Sequence, residues 1–252
     1  MATYRTGSGD PAHTLRLLWR RPPDGGRRGP RPRLSLDEIV DAAVALADRD
    51  GLDTLGMRQV AQQLGVAPMT LYTYIPGKAE LLDLMLDAVY LQMPRPDRAG
   101  RPWREQVAAV ADDNRALLAT HTWATSVATT RPPLGPGQLA KYEFELRAFD
   151  RTGLDDVQRD AALTLVLQFV RSVAQAENEV RAARAETKQD DAQWWAAAGP
   201  LLAELVDPSA YPTATRVGAA AGAAHGAAYS PDHAYEFGLR RILDGLAALI
   251  TE

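Results

Sequence analysis

The chain has no cysteine, which excludes disulfides, thiolate chemistry and cysteine-based zinc sites. Its four histidines (His13, His121, His225 and His233) are scattered without metal-ligand spacing, so neither a metal nor a cofactor is expected. No apolar run approaches the roughly 20 residues of a membrane span. Residues 1–33 lack a secretory core, because Leu15, Leu17, Leu18 and Trp19 are broken by Arg16 and followed by Arg20 and Arg21. A cytoplasmic location with no membrane partner is expected. The motifs of common catalytic sites are also missing: there is no Gly-x-Gly-x-x-Gly, no P-loop, no Gly-x-Ser-x-Gly and no His/carboxylate cluster. An enzyme is therefore not expected. Nowhere does a convincing alternating strand pattern occur, and the fold class read from the chain is all-α.

What is present is an ordinary globular composition over 252 residues, 46% apolar and 24% charged, with a net charge of −4. That balance hides an asymmetry. Residues 1–33 hold eight arginines against Asp10 and Asp24, a net +6, which leaves −10 for the rest. An acidic protein still binds DNA if its positive charge is concentrated where phosphates lie. Five prolines between Pro11 and Pro32 and four glycines between Gly9 and Gly29 argue against a stable helix over most of it. It reads as a solvated basic arm, or as an arm that tracks phosphates or enters the minor groove.

Helical periodicity begins at Ser35. Ser35 with Glu38 forms a capping box, with Asp37 and Glu38 acidic in the first turn. Leu36, Ile39, Val40, Ala43 and Leu46 follow at helical spacing, and Gly51 stops the helix. Met57, Val60, Ala61 and Leu64 mark a second helix ended by Gly65. A third runs over about 68–74, with Pro68 in its first turn, where the missing N–H costs nothing. Pro76-Gly77 breaks it, and a fourth starts at Lys78 and runs into the low 90s. Longer helical patterns cover about 102–120, 137–150, 154–186, 189–206 and 232–250. The Ala/Gly stretch over 218–228 reads as a frayed helix end or a mobile loop.

Two short helices meeting at Leu64-Gly65-Val66 have the layout of a helix-turn-helix, whose second helix lies in the major groove. The stretch SLDEIVDAAVALADRDGLDTLGMRQVAQQLGVAPMTLYTYIPGKAELL, residues 35–82, resembles the N-terminal domain of the TetR family of bacterial transcriptional repressors. Segments 142–156 and 235–250 more weakly resemble the ligand-binding and dimerisation domain of its tetracycline-repressor-like branch. The implied domains are the arm over 1–33, a three-helix DNA-binding domain over 34–80, and a larger helical regulatory domain over 81–252. Pro68, Met69, Thr70, Thr73 and Tyr74 occupy exposed positions of the reading helix, while Leu71 packs inward. By resemblance Thr70 and Tyr72 touch phosphates or base edges, and Met69 or Thr73 meets a thymine methyl. Lys78 adds a phosphate contact, and Arg58 reaches a phosphate or a guanine. Gly56 and Met57 depart from the family, which often places a hydroxyl cap there, so one backbone contact is in doubt.

In the second half Thr164, Gln168, Ser172, Gln175 and Glu179 make a polar stripe along an otherwise apolar helix. Buried polar groups need partners, so the stripe either lines a ligand cavity or bonds another helix. His121, Trp123, Tyr142, Phe144, Trp194 and Trp195 join Gln168, Ser172 and Gln175 as candidate pocket residues. The resemblance implies a homodimer built by the 154–186 and 232–250 helices. It further implies a palindromic double-stranded operator read one turn (~34 Å) apart, and release by a small, largely apolar effector. A ligand-independent regulator or activator is the alternative.

Overall fold

A computed structural model describes residues 4–21, 34–227 and 229–250. The head begins at α2 (Leu36–Asp50), where Ser35 accepts from the Glu38 amide at 3.1 Å and donates its own amide to Glu38 Oε2 at 2.6 Å. Both halves of the capping box are thus made. Helices α3 (Met57–Gln63) and α4 (Pro68–Tyr72) follow. Gly65 lies between them at φ +67°, a conformation that strains a residue carrying Cβ. Helix α4 is two residues shorter than its pattern suggests, because Thr73 and Tyr74 already belong to the closing turn. Ile39, Val40, Ala43, Val60, Ala61, Leu71 and Ile75 are buried together as the core of the head.

The basic arm is not a free tail where it is described. Tyr4–Arg5 form a short strand, β1, pairing in parallel with β2 (Val127–Ala128) of the body. Then α1 (Pro11–Leu18) is capped by Asp10, whose side chain accepts from the His13 amide at 2.6 Å, with Pro11 at its first position. Within the described part of the arm, PAHTLRLL forms a helix because four of the five prolines of the segment fall after residue 21. Leu18 is only 1% exposed and packs into the main core. The remaining arginines, Arg27, Arg28, Arg31 and Arg33, lie outside the described residues.

The body is built on α5 (Lys78–Gln92), which packs on both α2 and α7 (Pro136–Leu146). Gly137 sits so close to α5 that a Cβ there would lie 1.9 Å from the Asp87 carbonyl oxygen. Helix α6 (Trp103–Thr120) lies against α8 (Asp156–Thr187), and α8 packs on α11 (Pro231–Ala247). Gly238 permits the α8–α11 approach, since a Cβ there would meet the Phe169 ring at 2.4 Å. Between α8 and α11 run α9 (Asp191–Leu205) and α10 (Pro212–His225). The second of these corrects the reading of 218–228: its Ala-rich stretch is helical up to His225, where Gly226 closes it at φ +63°. Its alanines, the best helix formers, sustain the helix without a packed face, against the cost of Gly218 and Gly222.

Candidate nucleic-acid interface and effector site

The reading face follows from how α4 is anchored. Leu71 and Ile75 are fully buried, which turns Met69, 73% exposed, and Tyr72, 46% exposed, outward. Pro68 and Thr73 are exposed with them, while Thr70 is half-buried and accepts a bond from the Thr73 hydroxyl at 2.6 Å. Arg58, in the first turn of α3, is exposed beside this face. Tyr74 is different, since it packs partly buried against the core. Helix α3 starts at Gly56 without a side-chain cap, as the sequence anticipates. Lys78 does not project freely: its Nζ donates to the Leu52 carbonyl at 2.9 Å and lies 4.5 Å from the centre of the Tyr4 ring. Burial lowers its pKa, partly offset by Asp53. In this conformation Lys78 braces the head.

Head and body meet through a polar junction that the sequence did not reveal. Asp48 of α2 accepts from Trp123 Nε1 at 2.7 Å, and His121 Nδ1 lies 2.8 Å from the same oxygen. The segment holding His121 and Trp123 is tied in turn to α8. Arg171 donates to the carbonyls of Ala124, Thr125 and Val127, and Asn178 donates to the Thr122 carbonyl. The N-terminal strap crosses the same junction. Tyr4 Oη donates to the Leu52 carbonyl at 3.0 Å and to Asp53 at 2.9 Å. The Gly7 amide donates to Asp83 of α5, Trp19 Nε1 to the Leu134 carbonyl, and Arg20 pairs with Asp37 of α2. Asp83 is almost wholly buried. Burial pushes its pKa up to about 6, opposed by the Gly7 amide and assisted by Glu80.

The candidate pocket residues do not converge. His121 and Trp123 serve the junction just described. The Tyr142 hydroxyl donates to Asp160 at 2.8 Å, a bond that raises its pKa. Thr164, Gln168, Ser172, Gln175 and Glu179 are exposed on the outer side of α8, so the stripe faces away from the packed core of the described residues. Its amides and hydroxyl face away from the core because Leu163, Val166, Val170 and Val173 take the buried side. Trp194 and Trp195 sit edge to face on α9, remote from a packed core, with ring centres 4.9 Å apart. Phe144 alone of the set borders a cavity of about 950 Å³ between the α5–α6 connection, α6 and α7. The centre of the body is filled instead by a buried charge pair. Lys141 Nζ meets Glu145 Oε2 at 2.7 Å, and Asn114 donates to the other oxygen at 2.5 Å. The Lys141/Glu145 spacing of four on one helix was the available signal, and it reads equally as a surface pair.

Comparison with known proteins gives a consistent picture. The family model for bacterial regulatory proteins of the tetR family matches residues 39–85, and that for the tetracyclin repressor-like C-terminal domain matches 95–250. The HTH-type transcriptional repressor DrrR1 of Streptomyces coeruleorubidus is 38% identical over 256 residues, covering 100% of this chain and 91% of that protein. An HTH-type transcriptional regulator of Saccharopolyspora erythraea is 37% identical over 161 residues, 64% of this chain and 67% of that protein. Among solved structures, the TetR family protein ActR of Streptomyces coelicolor in complex with actinorhodin superposes with a TM-score of 0.71. It is 28% identical, with 87% of this chain and 98% of that one covered.

Proposed function

The chain belongs to the TetR family of bacterial transcriptional regulators, and from that premise we propose how this particular molecule works as a ligand-responsive, DNA-binding repressor. The observation that carries the reading is the outward face of α4. Two buried anchors, Leu71 and Ile75, present Met69, Tyr72 and Thr73 as a rigid unit, with Arg58 alongside. A helix so presented enters the major groove, and Arg58 supplies charge for a phosphate or a guanine. One copy reads one half-site, so two copies serve a palindromic operator. The outer face of α8 and α11 supports self-association: exposed Leu165 on α8 and Phe237 on α11 lie there, with exposed Leu249 just beyond α11 and the unburied stripe of Gln168, Ser172 and Gln175 on α8. The protein acts in the cytoplasm, where its operator is, and carries out no catalysis.

Effector response requires that the body hold the head in two orientations of different operator affinity. The junction supplies the linkage. A shift of α8 moves Arg171 and Asn178, which hold the segment carrying Trp123 and His121, and these hold Asp48 of the head. The strap adds a second connection through Tyr4 and Gly7. The cavity beside Phe144 is the place for the small effector.

The test is operator binding, with the site first selected from random DNA. Arg58→Ala and Tyr72→Ala each weaken binding about tenfold or more, and Arg58→Ala also reduces the salt dependence. Tyr74→Phe, at a packed position, leaves it unchanged. Unaltered affinity in both Arg58→Ala and Tyr72→Ala, with the fold intact by circular dichroism, refutes this reading face.

A further inference from the structure

We propose that the cavity beside Phe144 binds an amphipathic organic anion: a planar, largely apolar body carrying a carboxylate. This names the chemistry of the effector site and so rests on the reading above. The wall of the cavity is unusual for a site meant for a neutral apolar compound. Arg95, Arg98, Arg101, Arg147 and Arg151 contribute to it, against Asp97, Glu143 and Asp150. Two of those acids are already engaged, Glu143 with Arg147 at 2.9 Å and Asp150 with Arg159 at 3.5 Å. Arg101 and Arg151 have no carboxylate partner among the described residues. The positive charge in the wall therefore exceeds what the wall itself neutralises.

Two guanidinium N–H groups are also left without an acceptor. Arg98 pairs through one terminal nitrogen with Asp113 at 2.6 Å, while Nη1 is buried and bonded to nothing. Arg95 donates its terminal nitrogens to the carbonyls of Tyr90, Leu91 and Met93, closing the end of α5, and its Nε is buried and unsatisfied. An unmet buried donor is costly, and more so when charged. Both residues border the cavity, so a small side-chain movement brings these donors to a ligand oxygen. Arginine suits the task because its donor geometry matches a carboxylate and it remains charged at every relevant pH. Next to them are the surfaces for the apolar body: the Phe144 ring, whose centre is 5.3 Å from the Arg98 guanidinium carbon, and the Trp103 side chain. The volume, about 950 Å³, admits a compound of several fused rings.

The experiment uses the intact chain and a matched pair of fluorescent probes, anthracene-2-carboxylate and anthracene-2-carboxamide. They share shape and apolar area and differ in charge. The carboxylate is expected to bind saturably and about tenfold more tightly than the amide, with an affinity that falls as salt rises. Arg98→Gln abolishes that preference. Because this change also breaks the Asp113 pair, Arg101→Gln provides the second variant; it removes an unpaired charge and weakens only the carboxylate, by about two- to fivefold. Equal affinity for the two probes, absence of saturable carboxylate binding, or a preference untouched by both variants overturns the anion site. Operator release separates this proposal from the one beneath it. Carboxylate binding through Arg98 with unchanged operator affinity leaves the anion site standing and removes its effector role. Release by a neutral ligand, with no carboxylate bound, leaves the effector role and removes the anion site.

Discussion

Residues 4–21 and residues 191–225 make an instructive contrast. The first segment sits in a stretch rich in arginine, proline and glycine, yet it inserts Leu18 into the core and reaches the head, α5 and the body with side-chain or backbone bonds. The second forms two regular helices, α9 and α10, and buries none of its residues. Local regularity and tertiary anchorage are therefore separate properties. A helix needs propensity and caps, which α9 has in the reciprocal Asp190/Gln193 capping box. Anchorage needs a few apolar or hydrogen-bonding groups placed opposite a complementary surface, and eight helical residues with one buried leucine suffice.

The largest effect that tests this contrast is at Leu18. Leu18→Ala is expected to lower unfolding stability by about 2–5 kcal/mol, through lost transfer energy and a residual cavity. Leu205→Ala, at a position 83% exposed, should stay within about 0.5 kcal/mol. Urea melts at one fixed protein concentration measure both, because self-association stabilises by mass action. Equal losses break the contrast. With the melts repeated over a range of protein concentrations, a loss at Leu205 that shrinks on dilution sharpens it, by showing that a second copy covers α9.

A smaller effect concerns the carboxylate under the strap. The folded-state pKa of Asp83 is raised from 3.8 to about 6, so the folded protein holds a proton there that the unfolded chain has released. Stability contributed by this group therefore falls as pH rises between those values and is lowest above them. Asp83→Asn keeps an oxygen for the Gly7 amide and removes the buried charge. It should raise the free energy of unfolding at neutral pH, by at most about 3 kcal/mol, and flatten its slope over that window. A variant less stable than the parent at neutral pH shows that the charge–amide bond outweighs burial.

The smallest effect separates the two segments by a hydroxyl. Tyr4→Phe removes the bonds to Leu52 and Asp53 and is expected to cost about 0.5–1.5 kcal/mol. Tyr211→Phe, in an exposed side chain between α9 and α10, should cost nothing measurable. Thermal melts of both variants decide the point, and a silent Tyr4→Phe would mean that the strap is held by Leu18 and the β1–β2 pairing alone.

The head was the most legible part. Ser35 and Glu38, the helical spacing of Ile39, Val40 and Ala43, and Gly65 at the turn all act within a few residues of one another, so a linear pattern carries them. Helix α10 was missed because alanine and glycine carry no hydrophobic periodicity to read. The strap was missed because its partners, Val127, Asp83 and Leu134, lie far away along the chain. The site was legible in part. The face of α4 follows from which residues alternate with Leu71, whereas Tyr74, readable from sequence as either core or contact, packs partly buried against the core, and Lys78 bonds the Leu52 carbonyl. For the cavity, aromatic residues were a poor guide, since Trp123 spends its N–H on Asp48 and Trp194 never meets the core.

By itself, then, the sequence determined an all-α chain with a helix-turn-helix head, because caps, turns and amphipathic spacing are short-range properties written in consecutive residues. Only the tertiary structure decided that Asp48 receives Trp123 and that the N-terminal strap spans head and body. It also decided that arginines border the cavity and that the polar stripe of α8 faces outward. Each of these depends on groups from distant elements meeting at hydrogen-bond range, and such a meeting is selected by packing of the whole core, which no local pattern encodes.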